Sequence, residues 1–183
     1  MVGIIEDLDH FTSLDFKYEG DTIYLLGNQK EDINSSEYLR EVHGVHSSPP
    51  PYFNDAEEIA LQASITEIIE KGTVNSAHDT ADGGLFPSLL ESYFTHNMGF
   101  DISLTDDIRM DAALFGEAQS RVILSMNEAN GADLEAVCEK HSVPCKKIGN
   151  VRKNKMSINN INFGMLSEYK KTFNDRLKEL IEL

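Results

Sequence analysis

The chain has 183 residues, a formal net charge of −15, 40% hydrophobic and 26% charged residues. These are the proportions of a water-soluble globular chain with enough material for a real core. No apolar run approaches the ~20 residues of a helical bilayer crossing, so no membrane is expected as partner. So strong an acidic surplus repels phosphate backbones, and no nucleic acid is expected either.

The start, MVGIIEDLDH, carries acids where a secretory leader needs a basic start and an apolar core. Cys138 and Cys145 supply neither a disulfide framework nor a metal-ligand set, and a reducing, cytoplasmic compartment is expected. DTIYLLG (21–27) reads as a buried strand closed by Gly27, and SSEYLREVHG (35–44) as a short helix ended by Gly44. SSPPPYFN (47–54) is a connecting loop, because its three prolines remove donors and fix φ.

The spacing predicts a helix from Asp55 to Lys71, with Asp55 and Glu58 as cap and reciprocal partner. Leu61, Ile65, Ile68 and Ile69 share one face, and Gly72 follows. A strand near Val74–Ala77 and a helix through Phe86, Leu89, Leu90, Tyr93 and Phe94 come next. FDISL (100–104) alternates like a half-buried strand, RVILSM (121–126) is another strand, and DLEAVCEKH (133–141) aligns Leu134, Val137, Cys138 and His141. CKKIGNV and KMSINNINF are read as a closing hairpin, before a helix through Leu166, Tyr169, Phe173, Leu177 and Leu180. The basic residues Lys146, Lys147, Arg152, Lys153 and Lys155 are read as a solvated strand edge. Strands alternating with helices, unevenly spaced, imply an α/β (α+β) layered sandwich with a mixed sheet packed by helices.

Between the second strand and its helix lies SAHDTADGGLFPSLLESYF (76–94). Pro87 lacks an N–H and belongs in a helix's first turn, so the helix is expected to begin close to Gly83 or Gly84. The N–H groups of Gly84 to Phe86 are then a candidate phosphate seat, which the glycines leave open to close approach. Asp79 and Asp82 would repel phosphate unless a divalent cation joined them to it, which is what Mg²⁺ commonly does. His78 can hydrogen-bond a ligand or orient an aspartate, and a histidine can exchange protons near neutral pH. On spacing alone the structural alternative carries more weight: Asp82 as a cap, Asp79 fixing a turn and His78 as a satisfied strand end. A second polar cluster, LFGEAQSRVIL (114–124), enters a buried strand. Glu117 can ligate metal or accept a ligand hydrogen bond, Gln119 can donate and accept, and Arg121 can grip phosphate or carboxylate. Its alternative is a polar loop with Arg121 paired to a surface acid.

VGIIEDLDH, SAHDTADGGL and LFGEAQSRVIL, in that order and at that spacing, resemble the C-terminal part of the phosphoribosylformylglycinamidine synthase family. DTIYLLG, SSEYL and HSVPCKKIGNV add to the likeness, which spans nearly all of the chain. The resemblance implies the C-terminal domain type shared with aminoimidazole ribonucleotide synthetase, selenophosphate synthetase and thiamine-monophosphate kinase, with partial ferredoxin-like topology. Residues 1–183 would be one such domain of a larger enzyme, with Met1 either a native or an expression start. The whole enzyme turns formylglycinamide ribonucleotide, ATP and glutamine-derived ammonia into formylglycinamidine ribonucleotide, ADP and phosphate.

Carried over residue by residue, the resemblance makes Asp79 metal-supporting and assigns Glu117 and Gln119 to nucleotide phosphate, with Ala118 where the family has serine. The reading of the residues adds Asp82 as a second metal-supporting carboxylate and Gly83, Gly84 and Arg121 to the nucleotide-phosphate site. The resemblance implies Mg²⁺ and ATP or ADP as cofactors of the full enzyme, no catalytic residue in the isolated chain, and an inactive fragment. The implied partners are the remaining domains of the same synthetase and a glutaminase domain or subunit. The alternative is a noncatalytic docking or dimerisation module, a homodimer with a vestigial nucleotide site.

Overall fold

The computed structural model describes residues 4–5, 7–105 and 107–181, leaving aside the side chains of residue 9 and residues 177–180. Met1, part of the 2–10 stretch and the side chains of Leu177 and Leu180 lie outside that description. Seven strands form one sheet: β1 (Thr22–Leu26), β2 (Val74–Asp79), β3 (Met98–Ile102), β4 (Val122–Met126), β5 (Cys145–Lys153), β6 (Met156–Ile158) and β7 (Ile161–Asn162). Their order is β2-β4-β1-β5-β3-β6-β7, and the sheet is mixed, with β3 and β6 parallel and the other neighbours antiparallel. The helices are α1 (Glu37–His43), α2 (Asp55–Glu70), α3 (Leu85–Phe94), α4 (Met110–Phe115), α5 (Gly131–His141) and α6 (Leu166–Ile181).

The near-continuous apolar run of β1 follows from burial on both sides of the sheet. Ile23 and Leu25 enter one core with Leu85 and Leu89 of α3 and Phe100 of β3. Tyr24 and Leu26 enter the other, with Leu61 and Ile68 of α2 and Leu134 and Val137 of α5. Helices therefore sandwich the sheet, as the alternation of elements predicted. Each fully buried aliphatic side chain contributes about 1.5–3 kcal/mol, so β1, filling both cores, is costly to disturb.

Four local expectations are corrected. Asn54 caps α2, not Asp55: its side-chain oxygen accepts from the N–H groups of Ala56 and Glu57 at 2.9 and 3.1 Å. β2 extends through His78 to Asp79, so the candidate motif starts on a strand. β5 and β6 do not form a hairpin, because a strand has two edges and those of β5 are filled by β1 and β3. β6 instead lies parallel to β3 and turns back into β7. The lysines of β5 consequently lie on an interior strand, where Lys146 and Lys147 remain exposed and Lys147 pairs with Glu128 at 2.5 Å.

Two contacts fix the ends of the layers. Gly27, at φ +87°, packs so close to the 116–121 loop that a Cβ would stand 2.0 Å from the Ser120 carbonyl oxygen. Gly27→Ala is expected to cost at least about 1–3 kcal/mol in backbone strain, read as a lower urea midpoint. On the opposite helical layer, Glu67 of α2 accepts from Lys140 and His141 of α5 at 2.7 and 2.8 Å. The hydrogen bond from Lys140, then that from His141, holds the Glu67 carboxyl at about 2 rather than 4.5. A depressed carboxyl stabilises the fold above its unfolded value and loses that contribution as pH falls through its folded one. Urea midpoints compared between wild type and Glu67→Gln are expected to converge as pH drops from 4.5 to about 2.

Candidate functional site

β2 and β4 are antiparallel neighbours, with Asp79 opposite Val122, so the residues after β2 and those before β4 emerge at the same end of the sheet. The first half of α2 passes over this end, and a cavity of about 400 Å³ lies between the three segments. Asp79, Asp82, Glu117, Gln119 and Arg121 all line it. Sequence proposed those five residues from two separate motifs, and the fold brings them together.

Gly83 and Gly84 stand behind the lining. Gly84 is the N-cap of α3, with φ 81°, and Leu85 is the first helical residue, as Pro87 predicted. A Cβ on Gly84 would lie 2.6 Å from the Gly116 carbonyl oxygen, so its missing side chain serves a close approach between two backbone turns. The Gly84 N–H, first of the expected phosphate seat, donates to the Ala81 carbonyl at 3.1 Å, and the Gly83 N–H just before it donates to Glu117 Oε1 at 2.9 Å. That oxygen also accepts the Glu37 N–H at 2.7 Å, so Glu117 ties the start of α1 to the turn before α3.

Arg121 is the buried charge of the site, 3% exposed. Its Nε donates to the Ala118 carbonyl at 3.0 Å and its Nη2 to the Gly116 carbonyl at 2.6 Å. The alternative of a surface ion pair is therefore corrected: this guanidinium is buried on backbone oxygens. Burial lowers its pKa to about 10, opposed by the nearby Glu117 charge, and it stays protonated at neutral pH. Ala118 is 1% exposed, so the serine-to-alanine departure falls on a side chain turned into the core.

His78 lies outside the cavity lining, with Nε2 2.8 Å from Glu91 Oε2 of α3 and Nδ1 3.3 Å from Asp79 Oδ1. It links the Asp79 carboxylate to α3. Sequence reading missed other members of the wall, among them Glu58 and Ser120, whose Oγ donates to Glu58 Oε2 at 2.7 Å. The available signal was Glu58 lying three residues before Leu61, one turn earlier on the face that α2 buries. Asp79 and Asp82 are exposed carboxylates on the rim. Among the described residues, no group of three or more His, Cys, Asp or Glu could hold a metal unaided.

A family model described as AIR synthase related protein, C-terminal domain, matches residues 18–159. The chain belongs to this family. Its relatives include the phosphoribosylformylglycinamidine synthase subunit PurL of Caldanaerobacter subterraneus subsp. tengcongensis, 36% identical over 149 residues. That match covers 81% of this chain and 20% of the relative, so the chain spans about a fifth of the relative's length. T. maritima PurL complexed with ATP superposes with a TM-score of 0.69 at 15% identity, covering 87% of this chain and 27% of that one. PurLQS from Thermotoga maritima gives 0.67 at 16%, covering 89% and 28%. At these identities the likeness is one of fold, and it agrees with the layered mixed sheet found here.

Replacing Glu117 removes the acceptor from two backbone donors. Glu117→Ala is expected to lower unfolding stability by about 1–3 kcal/mol, and Glu117→Gln by less, since an amide oxygen still accepts. Amide hydrogen exchange localises the effect, with faster exchange expected at Gly83 and Glu37.

Proposed function

We propose that residues 1–183 are the C-terminal domain of a phosphoribosylformylglycinamidine synthase, the ATP-dependent ligase of purine biosynthesis. The observation that carries this reading is the 36% identity to a PurL subunit across 81% of the chain. In the complete enzyme, formylglycinamide ribonucleotide and ammonia from glutamine become formylglycinamidine ribonucleotide, with ATP converted to ADP and phosphate. The domain supplies one wall of a nucleotide-phosphate site and contains no catalytic residue of its own.

The cavity supports that division of labour. Arg121 and Gln119 offer donors toward phosphate oxygens, while Glu117 shapes the wall by holding the Gly83 and Glu37 amides. Mg²⁺ takes hard oxygen ligands, usually one or two carboxylates together with phosphate and water. Asp79 and Asp82 fit this donor set and would hold such an ion when a nucleotide accompanies it. Bound there, Mg²⁺ supplies positive charge that offsets the repulsion between these carboxylates and a phosphate. His78 braces Asp79 from behind.

The proposed partners are the remaining domains of the same synthetase, with a glutaminase domain or subunit beyond them, in the cytoplasm. Phe53, just before α2, and Ile59, within its first half, are 55% and 67% exposed, and apolar side chains so placed favour a neighbouring domain over open water. A second reading, a noncatalytic docking module that forms homodimers, draws on the same exposed residues.

The test is an immunoblot of the source cells with antibody to this chain, paired with an ATPase assay of the purified chain. A band several times larger than 20.5 kDa and no turnover by the isolated chain are expected. A band at 20.5 kDa would make the chain a freestanding protein and move the docking reading forward. Turnover by the chain alone would overturn its assignment as a noncatalytic domain.

A further inference from the structure

α3 and α6 pack against each other on the side of the sheet away from α2 and α5. The crease between them holds a cavity of about 470 Å³ that the candidate site does not use. Its walls are aromatic. Phe163 and Tyr169 rest against the buried Phe86, with ring centroids 5.5 and 5.9 Å from it, and the Tyr169 hydroxyl donates to the Phe163 carbonyl at 2.9 Å. Phe94 of α3 meets Phe173 of α6 at 4.7 Å between centroids. These contacts hold the rings in place before any ligand arrives.

The charges around the rings are of one sign. Glu91 of α3 and Glu168 of α6 line the cavity, and no lysine, arginine or histidine lines it with them. Glu91 Oε2 is 2.8 Å from His78 Nε2, whereas the Glu168 carboxylate has no hydrogen bond or ion pair among the described residues. The neighbouring Lys170 is taken up by the Phe94 carbonyl and the Asn97 side chain. A cation gains from the face of an aromatic ring and from a nearby carboxylate, and an anion is repelled by both. Nine residues form the lining, against roughly 20–30 a side in a standard protein interface. The volume lies within the range of about 300–1,000 Å³ found for small-ligand sites. The size is that of a small molecule.

We propose that this cavity binds a small organic cation, a protonated amine carried on an aromatic-sized apolar body. The apolar body lies among the rings of Phe94, Phe163, Tyr169 and Phe173, and the ammonium group faces Glu91 and Glu168. None of these residues lines the proposed nucleotide cavity, so the inference stands apart from the purine assignment. The bond from Glu91 to His78 makes the imidazole a reporter of occupancy.

The experiment titrates the purified chain with phenethylammonium, and separately with phenethyl alcohol and hydrocinnamate as neutral and anionic counterparts of similar shape, followed by NMR. Saturable shifts at Tyr169, Phe173 and the His78 ring are expected with the ammonium, binding about tenfold weaker with the alcohol, and no saturation with the carboxylate. A variant carrying both Glu91→Gln and Glu168→Gln, with its thermal midpoint checked against wild type, is expected to bind ammonium and alcohol alike. Equal affinity for the two in wild type would leave only an apolar crease and overturn the site. So would shifts that fail to saturate, or an undiminished preference for the ammonium in the folded double variant. Shifts at the same residues on diluting the chain alone would assign the crease to a second copy of the chain, and overturn the proposal as well.

Discussion

A guanidinium withdrawn from water must either meet a carboxylate or place donors on neutral oxygens, and Arg121 takes the second course through its Nε and Nη2. By binding the carbonyls of Gly116 and Ala118 it curls the segment before β4 back on itself, and its own carbonyl accepts the Thr80 N–H at 3.1 Å. That curl turns Glu117 toward the Gly83 and Glu37 amides, while Ser120, at φ 64°, meets Glu58 on α2. The cavity wall is thus a consequence of one buried cation. Its polar groups are held by backbone geometry and not by a web of surface ion pairs, which salt would screen.

The electrostatics of the cavity are uneven in a way that bears on function. Asp79, Asp82, Glu58 and Glu117 bring carboxylates to its lining, against the single guanidinium of Arg121. A phosphate group alone would meet more repulsion than attraction there, in a chain already at −15. The arrangement suits a ligand that brings its own cation and finds further donors on a neighbouring domain. It suits poorly an isolated domain binding free nucleotide, which agrees with a chain that spans about a fifth of its PurL relative.

The sequence made the elements legible wherever local pattern decides them. The apolar stripe of α2, the two-sided burial of β1 and the start of α3 ahead of Pro87 are all short-range consequences of side-chain spacing and proline stereochemistry. The shared cavity lining of the candidate residues was legible to the same extent, since polar residues placed directly before a buried strand or helix gather at its open end. Pairing was not, because periodicity states which face of a strand is buried but not which strand fills each edge; hence the misplaced hairpin of β5 and β6. Nor could spacing reveal that the Glu117 carboxylate is already engaged. Its two donors, Gly83 and Glu37, come from segments 34 and 80 residues away and meet it only once the layers have packed.

The end of β1 joins the α5–β5 connection to the wall of the cavity. Leu26 faces Cys145 across the ladder, and the next residue, Gly27, donates its N–H to the Pro144 carbonyl at 2.8 Å. On its other side Gly27 presses its bare Cα against the Ser120 carbonyl, where no side chain would fit. Backbone held at a strand end by a hydrogen bond on one side and by van der Waals contact on the other has little room to move. The α5–β5 joint and the wall of the cavity therefore both bear on Gly27, and the precision of the wall depends on how rigidly that joint is built.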